Sequence, residues 1–183
     1  PRGVEGTVAM DSYSSRMNTV FCSFITVLGA AATLNHLTTW LPHMQASPVA
    51  EVSLNKIHDL TVNTFLQMDQ STLSFHMSHD LSSEFNWNMK QLFVYLVVSY
   101  NDTTNKRNEV TVWDAVIENS KDAVFNAKNM MIEYPLRDQY KELRGKDLRF
   151  HFRYRTMPIC GVMYLKELTT YDFKANNEYF RDG

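Results

Sequence analysis

Few residues in this chain are of a type and spacing that could do chemistry. His76 and His79 are three apart. On a strand such positions point to opposite faces, and no second His or carboxylate cluster completes a ligand set, so no metal site is expected. There is no Gly-x-Ser-x-Gly turn, and no Ser and His share a recognisable catalytic setting. Catalytic residues and cofactors are therefore not expected. Cys22 and Cys160 are the two cysteines. Cys22 lies within an apolar segment, so both are expected to stay unpaired, which excludes a disulfide scaffold and a Cys-rich zinc site. Asn101-Asp102-Thr103 is the one Asn-x-Ser/Thr sequon, with Asn101 as the candidate glycosylation acceptor. Arg149, His151, Arg153 and Arg155 alternate along one stretch. They could meet an acidic partner or lipid headgroups, or form a solvated face paired to acids on neighbouring strands. Phe85 and Trp87 could anchor an interface or pack a core.

These residues need elements to hold them. The chain has 183 residues, enough for one domain with a real core. Its 18 basic and 20 acidic side chains nearly balance, which argues against a nucleic-acid partner. An apolar content of 44% and an aromatic content of 13% argue against wholesale disorder.

No charged side chain occurs between Arg16 and Glu51. Residues 19–41 would form a helix of roughly 34 Å, enough to cross a hydrocarbon core of about 30 Å. Trp40 stands where an interfacial aromatic belongs, and Pro42 is expected to end the helix. Thr33, Asn35, His36, Thr38 and Thr39 dilute the second half. A cleaved signal peptide fits the same residues: Arg16 as the basic region, 20–28 as the apolar run, Ala30-Ala31-Ala32 at the cut. A buried soluble helix fits less well, because no polar face recurs at helical spacing. Both leading readings carry the remaining chain across a membrane from the cytosol. The single Arg16 before the segment favours a cytosolic amino terminus. Residues 1–9 show no pattern, and Met10 reads as the natural beginning. The expected organisation is a cytosolic tail over 1–18 (1–9 not native), a membrane helix over 19–41, a β-domain over 48–173 and a flexible tail over 174–183.

Beyond Pro48, apolar and polar residues alternate, as half-buried strands require. Val52 and Leu54 alternate with polar neighbours, as do Leu73, Phe75 and Met77. Residues 89–100 are apolar on both faces at their centre, which predicts a central strand or one covered by another chain. The Asn101–Asn105 cluster reads as a turn, with a strand over 108–117 closing a hairpin. A weaker strand is expected over 123–134. Leu148, Phe150, Phe152 and Tyr154 alternate with the basic stripe in the cleanest strand. Pro158 ends it, and 159–170 should supply one more. Six or seven strands with short turns predict a mainly β protein: an antiparallel β-sandwich-like domain preceded by one transmembrane helix.

Three strings are distinctive. One is Phe85-Asn86-Trp87-Asn88-Met89-Lys90-Gln91-Leu92-Phe93-Val94-Tyr95-Leu96. The second is Asn108-x-Val110-x-Val112-Trp113-Asp114-x-x-Ile117. The third is Leu143-Arg144-Gly145-Lys146-Asp147 followed by Met157-Pro158-x-x-Gly161-x-Met163. In this order they resemble the signal peptidase complex subunit 3 family, from about Met10 to Leu168. The resemblance implies a single-pass type II protein of the endoplasmic reticulum membrane with a luminal domain. It implies no chemistry of its own. Its role would be to stabilise the catalytic serine-protease subunit, beside other small subunits, for removal of signal peptides. It favours the anchor over the cleaved signal. Tyr154 stands where the family often has Trp, and Arg149, Arg153 and Arg155 stand where it is usually less basic. Ser15-Arg16-Met17 imitates the Ser-x-Met of catalytic subunits, but on the cytosolic side of the span. The competing function is a secreted or membrane-anchored β-sandwich that binds a ligand.

Overall fold

The structure, a computed structural model, describes residues 12–101, 103 and 107–181. Helix α1 (Tyr13–Gln45) opens on Ser12, whose Oγ accepts from the Ser15 N–H at 3.3 Å. This satisfies one of the donors a helix start leaves unpaired. Its 33 residues make it about 50 Å long. It is apolar and long enough to cross a membrane. Pro42 does not end it. The helix runs one turn further to Gln45, where the Ala46 N–H donates to the Pro42 carbonyl at 3.0 Å. Proline removes one backbone donor but keeps a helical φ, and the last turn is held from outside by contacts described below.

Nine strands follow among the described residues: β1 (Val49–Asn63), β2 (Met68–Asp80), β3 (Met89–Tyr100), β4 (Asn108–Ile117), β5 (Val124–Met131), β6 (Leu136–Asp138), β7 (Asp147–Pro158), β8 (Leu165–Lys174) and β9 (Phe180–Arg181). They form two antiparallel sheets. Sheet A has the order β5-β2-β1-β9, with β6 also on β2; sheet B has the order β4-β3-β7-β8. The strand over 89–100 is central, flanked by β4 and β7.

Alternation decides what lies between the sheets. Leu92, Val94, Leu96 and Val98 of β3, with Phe150, Phe152 and Tyr154 of β7, face Leu60, Leu73, Phe75 and Met77 of sheet A in one core. Burying each such side chain stabilises the fold by about 1.5–3 kcal/mol. Phe75 sits at the aromatic centre, 6.1 Å from Phe150 and 6.4 Å from Trp113.

Three expectations need correcting. The strand expected over 159–170 is a loop to Tyr164 followed by β8, because Pro158 and Gly161 (φ 110°) break the extended run. The strand expected over 123–134 is shorter, ending at Met131. The tail expected to be loose is tied down as far as Arg181. Its Tyr179 hydroxyl donates to Asp69 at 2.8 Å, the Arg144 guanidinium lies 4.4 Å over the Tyr179 ring, and β9 pairs with β1. The expectations for residues 1–11, and part of the turn at 101–105, lie outside the described residues.

Candidate functional site

The most heavily organised polar cluster joins the helix to the sandwich. Its centre is Glu84, the last residue of a single 3₁₀ turn (Ser82–Glu84) between β2 and β3. Its side chain is wholly buried. Three elements converge on it. The Tyr154 hydroxyl of β7 donates to Oε1 at 2.5 Å, Lys166 Nζ of β8 reaches the same oxygen at 2.7 Å, and His43 Nδ1 of α1 donates to Oε2 at 2.9 Å. An unpaired buried carboxylate would cost several kcal/mol, so each of these donors is needed. Burial, and then the hydrogen bond to Glu84, hold the Tyr154 phenol far above its ordinary pKa, so it stays a donor. His43 also stacks on Tyr164, ring centroids 4.6 Å apart.

A second cluster lies earlier on the helix. Asn35 Nδ2 donates to Asn88 Oδ1 at 2.8 Å and to Cys160 Sγ at 2.9 Å. Asn88 is buried; its Nδ2 donates to the Cys160 carbonyl at 2.7 Å, and its Oδ1 accepts from the Cys160 N–H at 3.1 Å. The Cys160 thiol lies 3.7 Å from the Ala32 carbonyl. Thr39 is buried, with its hydroxyl on the Asn35 and His36 carbonyls. Asn35, Thr39 and His43 recur every four residues, so they share one helix face. The second half of the helix thus does carry a polar stripe at helical spacing, and that stripe faces the sandwich. A small cavity remains between the two, lined by His36, Thr39, His43, Asn88, Thr156 and Tyr164.

The outer face of sheet B carries the basic stripe. Arg153 makes two contacts to Glu109 of β4 (2.8 and 3.1 Å) and one to Glu167 of β8 (2.7 Å). Its hydrogen bonds hold the Glu109 carboxyl below its ordinary range. Arg149 pairs with Asp172. His151 is buried, with Nε2 2.8 Å from Ser99 Oγ. Arg155 is exposed. Glu167 and Asp172 of the neighbouring strand β8, with Glu109 reaching across from β4, therefore neutralise much of the stripe. Phe93 and Tyr95 stack beside it at 5.4 Å.

The remaining sequence candidates fall apart in space. Phe85 packs against the core, while Trp87 is exposed on the turn before β3. Asn101 is exposed at the far end of β3. His76 accepts the Asn129 N–H at 3.0 Å, whereas His79 is buried on the Ala123 carbonyl. Among the described residues no group of three His, Cys, Asp or Glu could hold a metal. Both cysteines are free thiols. Ser15 sits in the first turn of α1 with its N–H on the Ser12 cap. Sequence reasoning missed Glu84, Asn88, Cys160 and His43. The available signal was the pair Asn35-His36 inside an apolar segment, since polar groups there need partners.

The sequence model described as "Signal peptidase subunit" matches residues 10–178. The signal peptidase complex subunit 3 of Dictyostelium discoideum is 29% identical over 176 residues, covering 95% of this chain and 99% of that protein. The protein of the same name from Caenorhabditis elegans is 31% identical over 160 residues, covering 85% and 88%. That of Saccharomyces cerevisiae is 34% identical over 108 residues, covering 58% and 59%.

Proposed function

This chain belongs to the signal peptidase subunit family, and from that premise we propose that it is an accessory subunit of the signal peptidase complex. It holds a catalytic serine-protease subunit in place and does no peptide-bond chemistry itself. The membrane in question is that of the endoplasmic reticulum. Helix α1 crosses it once, with the amino terminus in the cytosol and the sandwich in the lumen. Asn101, exposed at a strand end, is then open to glycosylation.

The observation that carries this reading is the Glu84 junction. A membrane helix and a sandwich locked to one another form a rigid bracket, which is what a scaffold requires and a tethered ligand-binding module does not. The outer face of sheet B suits a protein partner: the Phe93–Tyr95 stack supplies apolar area, and Arg149 and Arg153 with their acids supply a polar frame. Phe85 contributes through the core rather than by contact.

Affinity purification of the tagged chain from membranes is expected to bring down a serine-protease subunit, and depletion of the chain to lower that subunit's abundance. Protease treatment of sealed microsomes is expected to spare the sandwich. If the purified chain by itself cut a preprotein, the accessory role would be wrong. Digestion of the sandwich from the outside would reverse the orientation.

A further inference from the structure

We propose that the sandwich itself enters the lipid surface, through the β7–β8 loop and the Trp87 turn, giving the protein a second membrane contact beside its helix. The proposal rests on α1 spanning the bilayer.

Residues 156–165 contain no charged side chain. Ile159, Val162, Met163 and Leu165 are each more than half exposed, as is Trp87. Water-facing loops rarely show so many large apolar groups together. The two segments form one unit, because the Ile159 N–H donates to the Asn88 carbonyl at 2.7 Å and Asn88 Nδ2 holds the Cys160 carbonyl. That unit is seated on the helix at a defined height, with Cys160 against Ala32 and Asn35. Gly161 approaches so closely that a Cβ there would lie 2.3 Å from His36 Nδ1.

The height identifies the occupant. Crossing the hydrocarbon core takes about 20 helical residues. Counted from Met17, the first apolar residue after Arg16, twenty residues end at His36. The loop therefore docks where the bilayer gives way to its headgroups. A protein partner would have to displace lipid to reach it. Trp87 is the residue type enriched at that level, and Arg155, opposite Leu165 in the β7–β8 register, can raise its guanidinium to lipid phosphates from the rim.

The test uses the full chain in phosphatidylcholine vesicles with lipids brominated at chosen acyl positions. In a Trp40→Phe, Trp113→Phe chain, Trp87 is the sole tryptophan. Adding Trp87→Phe to that chain gives a blank background, into which Met163→Trp or Phe24→Trp is placed. Trp87 and Met163→Trp are expected to lose emission most with bromines near the headgroup, and Phe24→Trp with deep bromines. If Phe24→Trp is quenched while both loop reporters are not, the inference is overturned and the span stands. If Phe24→Trp escapes quenching as well, the spanning helix is wrong and the inference falls with it. Met163 is exposed, so its replacement leaves the core intact; the Trp113→Phe background that all reporters share is first shown to be folded by a denaturant unfolding transition at the midpoint of the parent chain.

Discussion

Arg153 and Tyr154 are neighbours on β7 that point to opposite faces, and each anchors a polar cluster. Tyr154 joins Lys166 and His43 around the wholly buried carboxylate of Glu84. Arg153 joins Glu109 and Glu167 on a face where both carboxylates keep about a third or more of their surface in solvent. The groups and distances are similar; the surroundings differ. Water can replace a lost partner on the outer face but not at the junction. Charge there is held by necessity, and the helix is held along with it.

That contrast can be broken most directly at its centre. Glu84→Ala leaves the Tyr154 hydroxyl, Lys166 and His43 without their shared acceptor, and is expected to cost about 3–5 kcal/mol. Denaturant unfolding of the full chain in detergent, followed by near-UV circular dichroism, reads it. A loss under about 1 kcal/mol would mean the junction is as replaceable as the surface. Gly161→Ala attacks the same seam sterically. The new Cβ meets His36, and the φ of 110° is strained for any other residue, so about 1–3 kcal/mol should be lost. Relief by His36→Ala in the double variant would locate the clash.

His79 sharpens the comparison from the other side. It is buried against Phe125 and Phe152 rather than gathered around a carboxylate. Burial depresses its pKa from the ordinary 6.5, with the Ala123 carbonyl and Asp80 opposing weakly. The unfolded chain therefore takes up a proton first as pH falls. Stability should decline below pH 6.5, by at most about 1.4 kcal/mol per pH unit for one proton, until the folded value is passed. His79→Gln should flatten that segment of the curve; an unchanged slope would assign it elsewhere. Arg153→Gln is the smallest effect, no more than about 1 kcal/mol by the same unfolding assay. A cost equal to that of Glu84→Ala would erase the distinction between the faces.

The same contrast explains what was legible in the sequence. Sheet B could be read because period-two alternation along β3 and β7 records burial directly. The full length of β1 could not. Irregularities between Leu54 and Lys56, and between Ile57 and Asp59, interrupt its alternation, so only its Val52–Leu54 part was visible. β6 and β9 are too short to carry a pattern. The junction was hidden for another reason. Glu84 looks like an ordinary surface acid, and its partners lie 41, 70 and 82 positions away. The Phe85–Trp87 motif lay beside the site while the residues at its centre went unread.

One consequence of the shared carboxylate concerns rocking. A sandwich on a single flexible stalk would tilt and swivel as the lipids move. Here the stalk's last turn, the inner strand β7 and the edge strand β8 grip the same two oxygens. With α1 crossing a bilayer as proposed, the outer face of sheet B would keep a constant elevation and heading relative to the bilayer plane, and whatever docks upon it would inherit a built-in spirit level.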